Sequence, residues 1–300
     1  VRGAFCVLGG PDMTLQEPEP ASAPPRGPRL FGPELWVRLA SALVMAAVAL
    51  FLTWWGRLPF ALLILAVSLA MSWEWARVVR GEAAGPAFLT HMLAVSVAIV
   101  LAGFDLAVLG LLVAVVGAIL VALQSLGLGS PAAAGGVLYV AAPGISMIWL
   151  RSDPEFGFLA IVFLFLVVWT TDTGAYAAGR LIGGPRLWPR VSPNKTWSGL
   201  GGGILAALVV SVLFARFVMG SGAVRLALVG IALAAISQAG DLAESALKRG
   251  FGVKDSSALI PGHGGFMDRL DGLVFAAAAA ALVAVLTNVL APGRSLLLGW

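Results

Sequence analysis

The sequence predicts an all-α fold, a polytopic integral membrane helical bundle of about nine transmembrane helices. Three observations predict it. Hydrophobic residues make up 60% of the chain and charged residues 11%, where a soluble domain carries about 25% charged residues. Apolar runs close to the roughly 20 residues that a bilayer requires recur along the sequence. Lys and Arg are spread unevenly over the linkers between those runs, as a fixed membrane orientation demands.

Residues 1–33 stand apart. From Pro11 to Pro33 the chain is rich in Pro, with Glu, Ser and Arg and no apolar period. A disordered tail is expected there, followed by one membrane domain over 34–300. No charged segment leads into an apolar one, so the tail does not read as a cleaved signal peptide. Met13 offers an alternative start that would leave residues 1–12 outside the mature chain.

The expected helices run over about 36–55, 58–78, 87–104, 106–125, 136–150, 156–178, 199–219, 223–247 and 266–290. The first follows the tail. The second carries Glu74 and Arg77 at i, i+3, which reads as a local structural pair. The third and fourth are apolar throughout most of their length. The fifth contains Pro143 and Gly144, so a kink or a re-entrant passage is expected. The sixth carries Asp172 near its inner end, a carboxylate in an otherwise apolar helix and therefore a functional candidate. The seventh opens on Gly199, Gly201, Gly202 and Gly203, which allow close backbone approach or helix packing. The eighth ends on a polar face, and the ninth opens on Asp268 and Asp271. Trp73, Trp75, Trp149 and Trp169, among others, sit near helix ends and read as an interfacial belt.

With the N-terminus inside, Arg77, Arg80, Arg180, Arg186, Lys195 and Lys248 fall with most other cations on the cytoplasmic side. Only Arg57, Arg151, Arg216, Arg225 and Arg294 fall outside. Two polar runs, 170–203 and 241–272, then share the cytoplasmic face. The net charge of +4 is dispersed, which fits loops beside anionic lipid and gives no support for nucleic-acid binding. The single Cys6 excludes an internal disulfide and a Cys-rich zinc site. His91 and His263, far apart, make zinc a poor fit.

The run 241–272 carries the chemistry. Asp241, Glu244, Ser245 and Lys248 lie at i, i+3, i+4 and i+7, on one helix face. Asp268 and Asp271 lie side by side at the start of a helix, where capping and dipole compensation would also favour them. A salt bridge inside the bundle would account for Lys248. Neither bland reading explains Lys254, Asp255 and His263-Gly264-Gly265 between them. Oxygen donors of this kind suit a hard cation such as Mg²⁺, which also binds phosphates. In the other run, Ser192-Pro193-Asn194-Lys195-Thr196 reads as a turn into a helix that Thr196 or Ser198 caps. Arg180, Arg186, Arg190 and Lys195 beside a helix start suit a polyphosphate, though a basic juxtamembrane loop can equally be a topology signal.

Ser245-Ala246-Leu247-Lys248-Arg249, Lys254-Asp255 and Pro261-Gly262-His263-Gly264-Gly265-Phe266-Met267-Asp268-Arg269-Leu270-Asp271 resemble the signature of phosphatidate cytidylyltransferases, also called CDP-diacylglycerol synthases. Asp172-Thr173-Gly174-Ala175-Tyr176, Gly179-Arg180 and Ser192 to Trp197 resemble the same family. Ser198 stands where relatives often carry Glu or Gln, and no role is carried over to it. The likeness spans roughly residues 35–290 in helix pattern. It implies a membrane enzyme that transfers a cytidylyl group from CTP to phosphatidate, giving CDP-diacylglycerol and pyrophosphate for phospholipid biosynthesis. It implies a homodimer in a bacterial-type inner membrane, with the site facing the cytoplasm. It also implies Mg²⁺, with K⁺ as a second ion, held by Asp241, Ser245 and Asp268. Lys248, Asp268 and Asp271 are the expected catalytic set. Asp172, Arg180, Lys195, Thr196, Arg249, Lys254, His263 and Arg269 are the expected substrate contacts.

Two other classes compete. A polyprenol kinase or a CDP-alcohol phosphotransferase would also need acidic metal ligands, but the spaced Asp-Gly, Ala-Arg, Asp pattern of the latter is absent. A cation-coupled transporter would place its carboxylates near the bilayer midplane between broken helices. Here they cluster at helix ends.

Overall fold

The computed structural model describes residues 33–126, 132–260 and 264–299, with side chains from Ala40 onward. The Pro-rich tail up to residue 32 and Cys6 lie outside the described residues. The elements are α1 (Pro33–Trp55), α2 (Arg57–Arg80), α3 (Pro86–Gly103), α4 (Ala107–Gln124), α5 (Ala132–Arg151), α6 (Gly157–Leu181), strands β1 (Arg186–Trp188) and β2 (Ser192–Thr196), α7 (Trp197–Phe214), α8 (Ala223–Gly250), α9 (Met267–Val285) and α10 (Pro292–Leu297). A π-helical turn, Ala215–Met219, prolongs α7.

Seven of the described helices, α2 to α8, are long and apolar enough to cross a membrane. This all-α, multi-pass architecture is the one the apolar runs foretell. The two other expected spans, at the two ends, are also helical: α1 has 23 residues, of which Ala40–Trp55 carry described side chains. In α9 the first turns hold Asp268, Arg269 and Asp271, which only a polar end of the bundle can accommodate. The short α10 has no counterpart among the expected segments.

The helix ends sort into two poles. At one pole Arg57 of α2 pairs with Asp105 at 2.6 Å, Arg151 Nε donates to Thr53 O at 2.9 Å, and Arg225 Nη2 donates to Ser295 O at 2.6 Å. Asp153, buried beyond α5, accepts from Phe156 N at 2.8 Å and Arg294 N at 3.0 Å, so one carboxylate ties the heads of α6 and α10 together. The other pole gathers the C-terminal ends of α2, α6 and α8 with the N-terminal ends of α5, α7 and α9. Both motif-bearing runs lie at this second pole.

At the centre, α5 is the most buried of the spans, and α4 and α7 are the least. It packs against α2, α3, α4 and α9. Of the two alternatives expected here, a kink or a re-entrant passage, the re-entrant one is not found: α5 runs as one helix through Pro143, which is buried with Gly144. Neighbouring helices supply the packing that a lost helical hydrogen bond takes away. Trp75 is not part of an interfacial belt. The residue is 5% exposed, and its Nε1 donates to Ala132 O at 3.0 Å.

The α6–α7 pair carries the polar pole on a tight seam. A Cβ on Gly203 would lie 2.8 Å from Thr171 O, and one on Gly202 would overlap Ala178. The glycine-rich helix start is therefore a packing face, as small residues serve in membrane helices. Gly201 meets nothing within 4 Å. Accordingly, Gly203→Leu should lower stability by about 1–3 kcal/mol or more through overpacking. Gly201→Leu should leave it nearly unchanged. Thermal unfolding of the two variants in one detergent checks this, and equal midpoints would refute the packing assignment.

Candidate active site

A cavity of about 1280 Å³ runs along the bundle between α1, α2, α5, α6, α8 and α9. One end is apolar, lined by residues such as Ala46, Phe60, Ile64, Val140, Pro143 and Phe165. The other end, at the polar pole, is lined by Asp172, Arg180, Lys195, Thr196, Asp241, Asp268, Arg269 and Asp271. Eight of the residues singled out from sequence thus meet in one place, from four separate stretches of chain.

The first half comes from the linker between α6 and α7. Its expected turn is instead an antiparallel hairpin, with Arg186 opposite Thr196 and Trp188 opposite Ser192. The hairpin folds back at the end of α6 and delivers Lys195 to Asp241 of α8, with which it forms an ion pair. Thr196 then caps α7, its Oγ1 accepting from Gly199 N at 3.0 Å. Thr196 is 6% exposed and its hydroxyl is used by the cap and by Ser198, so its place at the site is mainly architectural. Asp172 is exposed towards the cavity, and Arg180 donates to Tyr176 Oη at 2.8 Å.

The second half is the α8–α9 seam. Lys248 lies between Glu244 at 3.0 Å and Asp268 at 2.5 Å, and both carboxylates are nearly or fully buried. The polar face of α8 therefore divides: Asp241 turns to the cavity, with Ser245 Oγ 3.5 Å from it, while Glu244 and Lys248 turn inward. Asp268 is held from several sides. It accepts from Ser256 N at 3.0 Å, Ser256 Oγ at 2.9 Å and Gly265 N at 2.9 Å. One helical turn on, Asp271 accepts from Gly272 N at 2.7 Å and faces the cavity.

Glu74 is the residue that sequence reasoning assigned wrongly. It does not pair with Arg77, whose guanidinium lies 4.8 Å over the Trp73 ring. Glu74 is 0% exposed and reaches the head of α9, accepting from Phe266 N at 2.9 Å and Met267 N at 2.8 Å. Ser257 Oγ donates to it at 2.6 Å. A carboxylate inside an apolar span was the available signal, and the nearer Arg77 drew it off. Arg249 and Lys254 are exposed and do not line the cavity; Arg249 donates to Val253 O at 3.0 Å. His263 lies outside the described residues.

The donors suit a hard cation in kind, being carboxylates and a hydroxyl. Asp172, Asp241 and Asp271 lie within electrostatic reach of one another. Among the described residues no three acidic or imidazole side chains converge on one metal-binding point. Lys195 holds Asp241, and Lys248 holds Asp268.

The family model described as the cytidylyltransferase family matches residues 36–287. A protein of Brucella suis named phosphatidate cytidylyltransferase is 43% identical over 247 residues, covering 81% of this chain and 91% of that protein. A Brucella abortus protein of the same name is likewise 43% identical over 247 residues. One from Staphylococcus epidermidis, also so named, is 46% identical over 140 residues, 46% of this chain and 54% of its own length.

The buried triad makes a stability prediction. Lys248→Met removes the counter-charge of Glu244 and Asp268 together, and such a loss costs about 3–5 kcal/mol. Lys254→Met, on the exposed linker, should stay within about 0.5 kcal/mol of the parent. Unfolding midpoints in detergent compare them directly, and a Lys248→Met midpoint equal to the parent's would show that the triad is solvated.

Proposed function

The chain belongs to the cytidylyltransferase family, and on that premise we propose that it transfers the cytidylyl group of CTP to phosphatidate. The products are CDP-diacylglycerol and pyrophosphate. One observation supports this reading above others: a single cavity joins a charged pole to a long apolar arm. A soluble polyphosphate and a lipid phosphate with its acyl chains need a site of both characters.

The chemistry asks little of a base. The phosphatidate phosphate is already an anionic nucleophile. One of its oxygens attacks the α-phosphorus of CTP, and the bond from that phosphorus to the bridging oxygen of the β-phosphate breaks. The difficulty is to hold two anions in line and at contact. Lys195, Arg180 and Arg269 line the charged pole and would bind phosphate oxygens; charge growing on pyrophosphate would be stabilised by the same groups. The apolar arm would seat the lipid tails and exclude water from the attack.

Mg²⁺ belongs to the proposal, with K⁺ as a second ion. Asp241, Ser245 and Asp268 are the proposed ligands; Asp241 and Asp268 line the cavity together with Asp271, and Ser245 Oγ lies 3.5 Å from Asp241. Asp268 already accepts from Lys248, Ser256 and Gly265, so Asp241 and Asp271 have the most capacity left. A bound divalent cation would neutralise phosphate charge and polarise the α-phosphoryl group. In the same reading the charged pole faces the cytoplasm, the compartment of CTP, in a plasma membrane. Assembly as a homodimer belongs with it.

Purified protein given radiolabelled CTP, phosphatidate and Mg²⁺ should form a chloroform-soluble nucleotide lipid. Chelation by EDTA should stop the reaction and added Mg²⁺ restore it. Asp241→Asn and Asp268→Asn should each lower the rate by about 10²-fold or more, with unchanged elution from a sizing column. Near-parental conversion by both variants would overturn the site, and no lipid product from the folded parent would overturn the function.

A further inference from the structure

We propose that Glu74 is a positioning residue for the cytidylyl transfer: from α2 it sets the head of α9 and, through Ser256, the orientation of Asp268. The inference rests on the proposed function for its activity readout alone; its structural readout stands without it.

The geometry is specific. Glu74 is fully buried, yet the partners that it meets are neutral donors: Ser256 Oγ at 3.2 Å, Ser257 Oγ at 2.6 Å, Phe266 N at 2.9 Å and Met267 N at 2.8 Å. A buried carboxylate is tolerable when its lone pairs are filled and a helix N-terminus faces it. Both oxygens are used, one on each of two successive amides at the head of α9. The Ser256 hydroxyl lies 2.9 Å from Asp268 Oδ2 and 3.2 Å from Glu74 Oε2, so its one proton is shared between the two carboxylates. Asp268 cannot rotate without disturbing the group that Glu74 holds.

Gly265 gives an independent sign of the same contact. A Cβ there would come within 2.8 Å of Glu74 Cδ and would overlap Ser256 Oγ. At Gly264, whose φ is +87°, a Cβ would lie 3.0 Å from Asp268 Oδ2. The two adjacent glycines are where two carboxylates press on one stretch of backbone, Asp268 at the first and Glu74 at the second. Glu74 lies outside both polar runs and makes no direct hydrogen bond or ion pair with Lys248, Glu244 or Asp268. Its effect on chemistry is therefore indirect.

The test combines amide exchange with kinetics on the full-length protein. In the parent, the Phe266 and Met267 amides should exchange slowly for residues at a helix start. Glu74→Gln keeps the size but presents an amide NH₂ where one acceptor is needed. It should speed exchange at those two amides, leave α3 and α4 unchanged, and lower kcat roughly 10- to 100-fold. KM for CTP should move less than about threefold, because a misplaced carboxylate harms the transition state more than nucleotide binding. Gly265→Ala should give the same pattern from the opposite side of the contact. Fast exchange at Phe266 and Met267 in the parent sinks the proposal even if no variant folds. So does a Glu74→Gln protein with parental kcat. A parent that is folded but inactive would count against cytidylyl transfer instead, leaving the exchange result to decide on Glu74.

Discussion

The head of α9 has to be satisfied inside an apolar bundle, and two carboxylates accomplish this. The first N–H groups of any helix lack partners within it. Left unpaired in buried surroundings, each would cost on the order of 1–3 kcal/mol. Asp268 takes Gly265 N, and Glu74 takes Phe266 N and Met267 N. Asp268 also takes a cation, Lys248, at 2.5 Å, whereas Glu74 is met by neutral donors alone. From this cluster the rest follows. The linker through Ser256 and Ser257 is pinned under α2, α8 and α9 are fixed at their polar ends, and Asp271 is set one turn further on, facing the cavity.

A bundle with chemistry at one pole needs a quieter opposite pole. There the polar groups close on one another: Arg57 on Asp105, Arg225 on the Ser295 carbonyl, Asp153 on the amides of Phe156 and Arg294. These contacts tie helix ends and loops to one another. The contrast between the poles is what lets the cavity run from apolar to charged along a single axis. Ridge packing by small residues on α6 and α7 holds the hairpin with Lys195 near α8, which no local interaction within the hairpin could do.

Much of this was legible in the sequence, for a physical reason. Lipid imposes a length and a composition on each span, so apolar runs mark helices more reliably than propensity does in water. The two polar runs also point to one site, because like topology places them at the same pole. Contacts distant in sequence were hidden. Glu74 lies 192 residues from Phe266, and its local spacing favoured Arg77. The hairpin was hidden likewise: Pro193 and Asn194 signal a turn, while strand pairing with Arg186 depends on where α6 ends. The glycines of α7 could be read either as a phosphate cradle or as a packing face, and only the approach of the Thr171 carbonyl decides. Arg249 and Lys254 shared a motif with buried neighbours, yet helix rotation and linker path put them outside the cavity.

The arrangement of charge has one more consequence on the proposed reading. At the site Asp241 is coupled to a cation of the protein, Lys195. Neutral pairing of this kind keeps the charged pole tolerable beside lipid when nothing is bound. A nucleotide polyphosphate offers Lys195 a denser anion than one carboxylate does, and a bidentate or multiple contact favours the exchange. Asp241 then has charge to share with the hard cation that accompanies a nucleotide. The cation that arrives with the nucleotide offsets part of the charge that the polyphosphate brings. Lys248 differs, because Glu244 and Asp268 enclose it away from the cavity and nothing entering from solvent competes for it. The two lysines of the site thus have separate tasks: one is available to substrate, and the other holds Asp268, one of the two carboxylates on which the head of α9 depends.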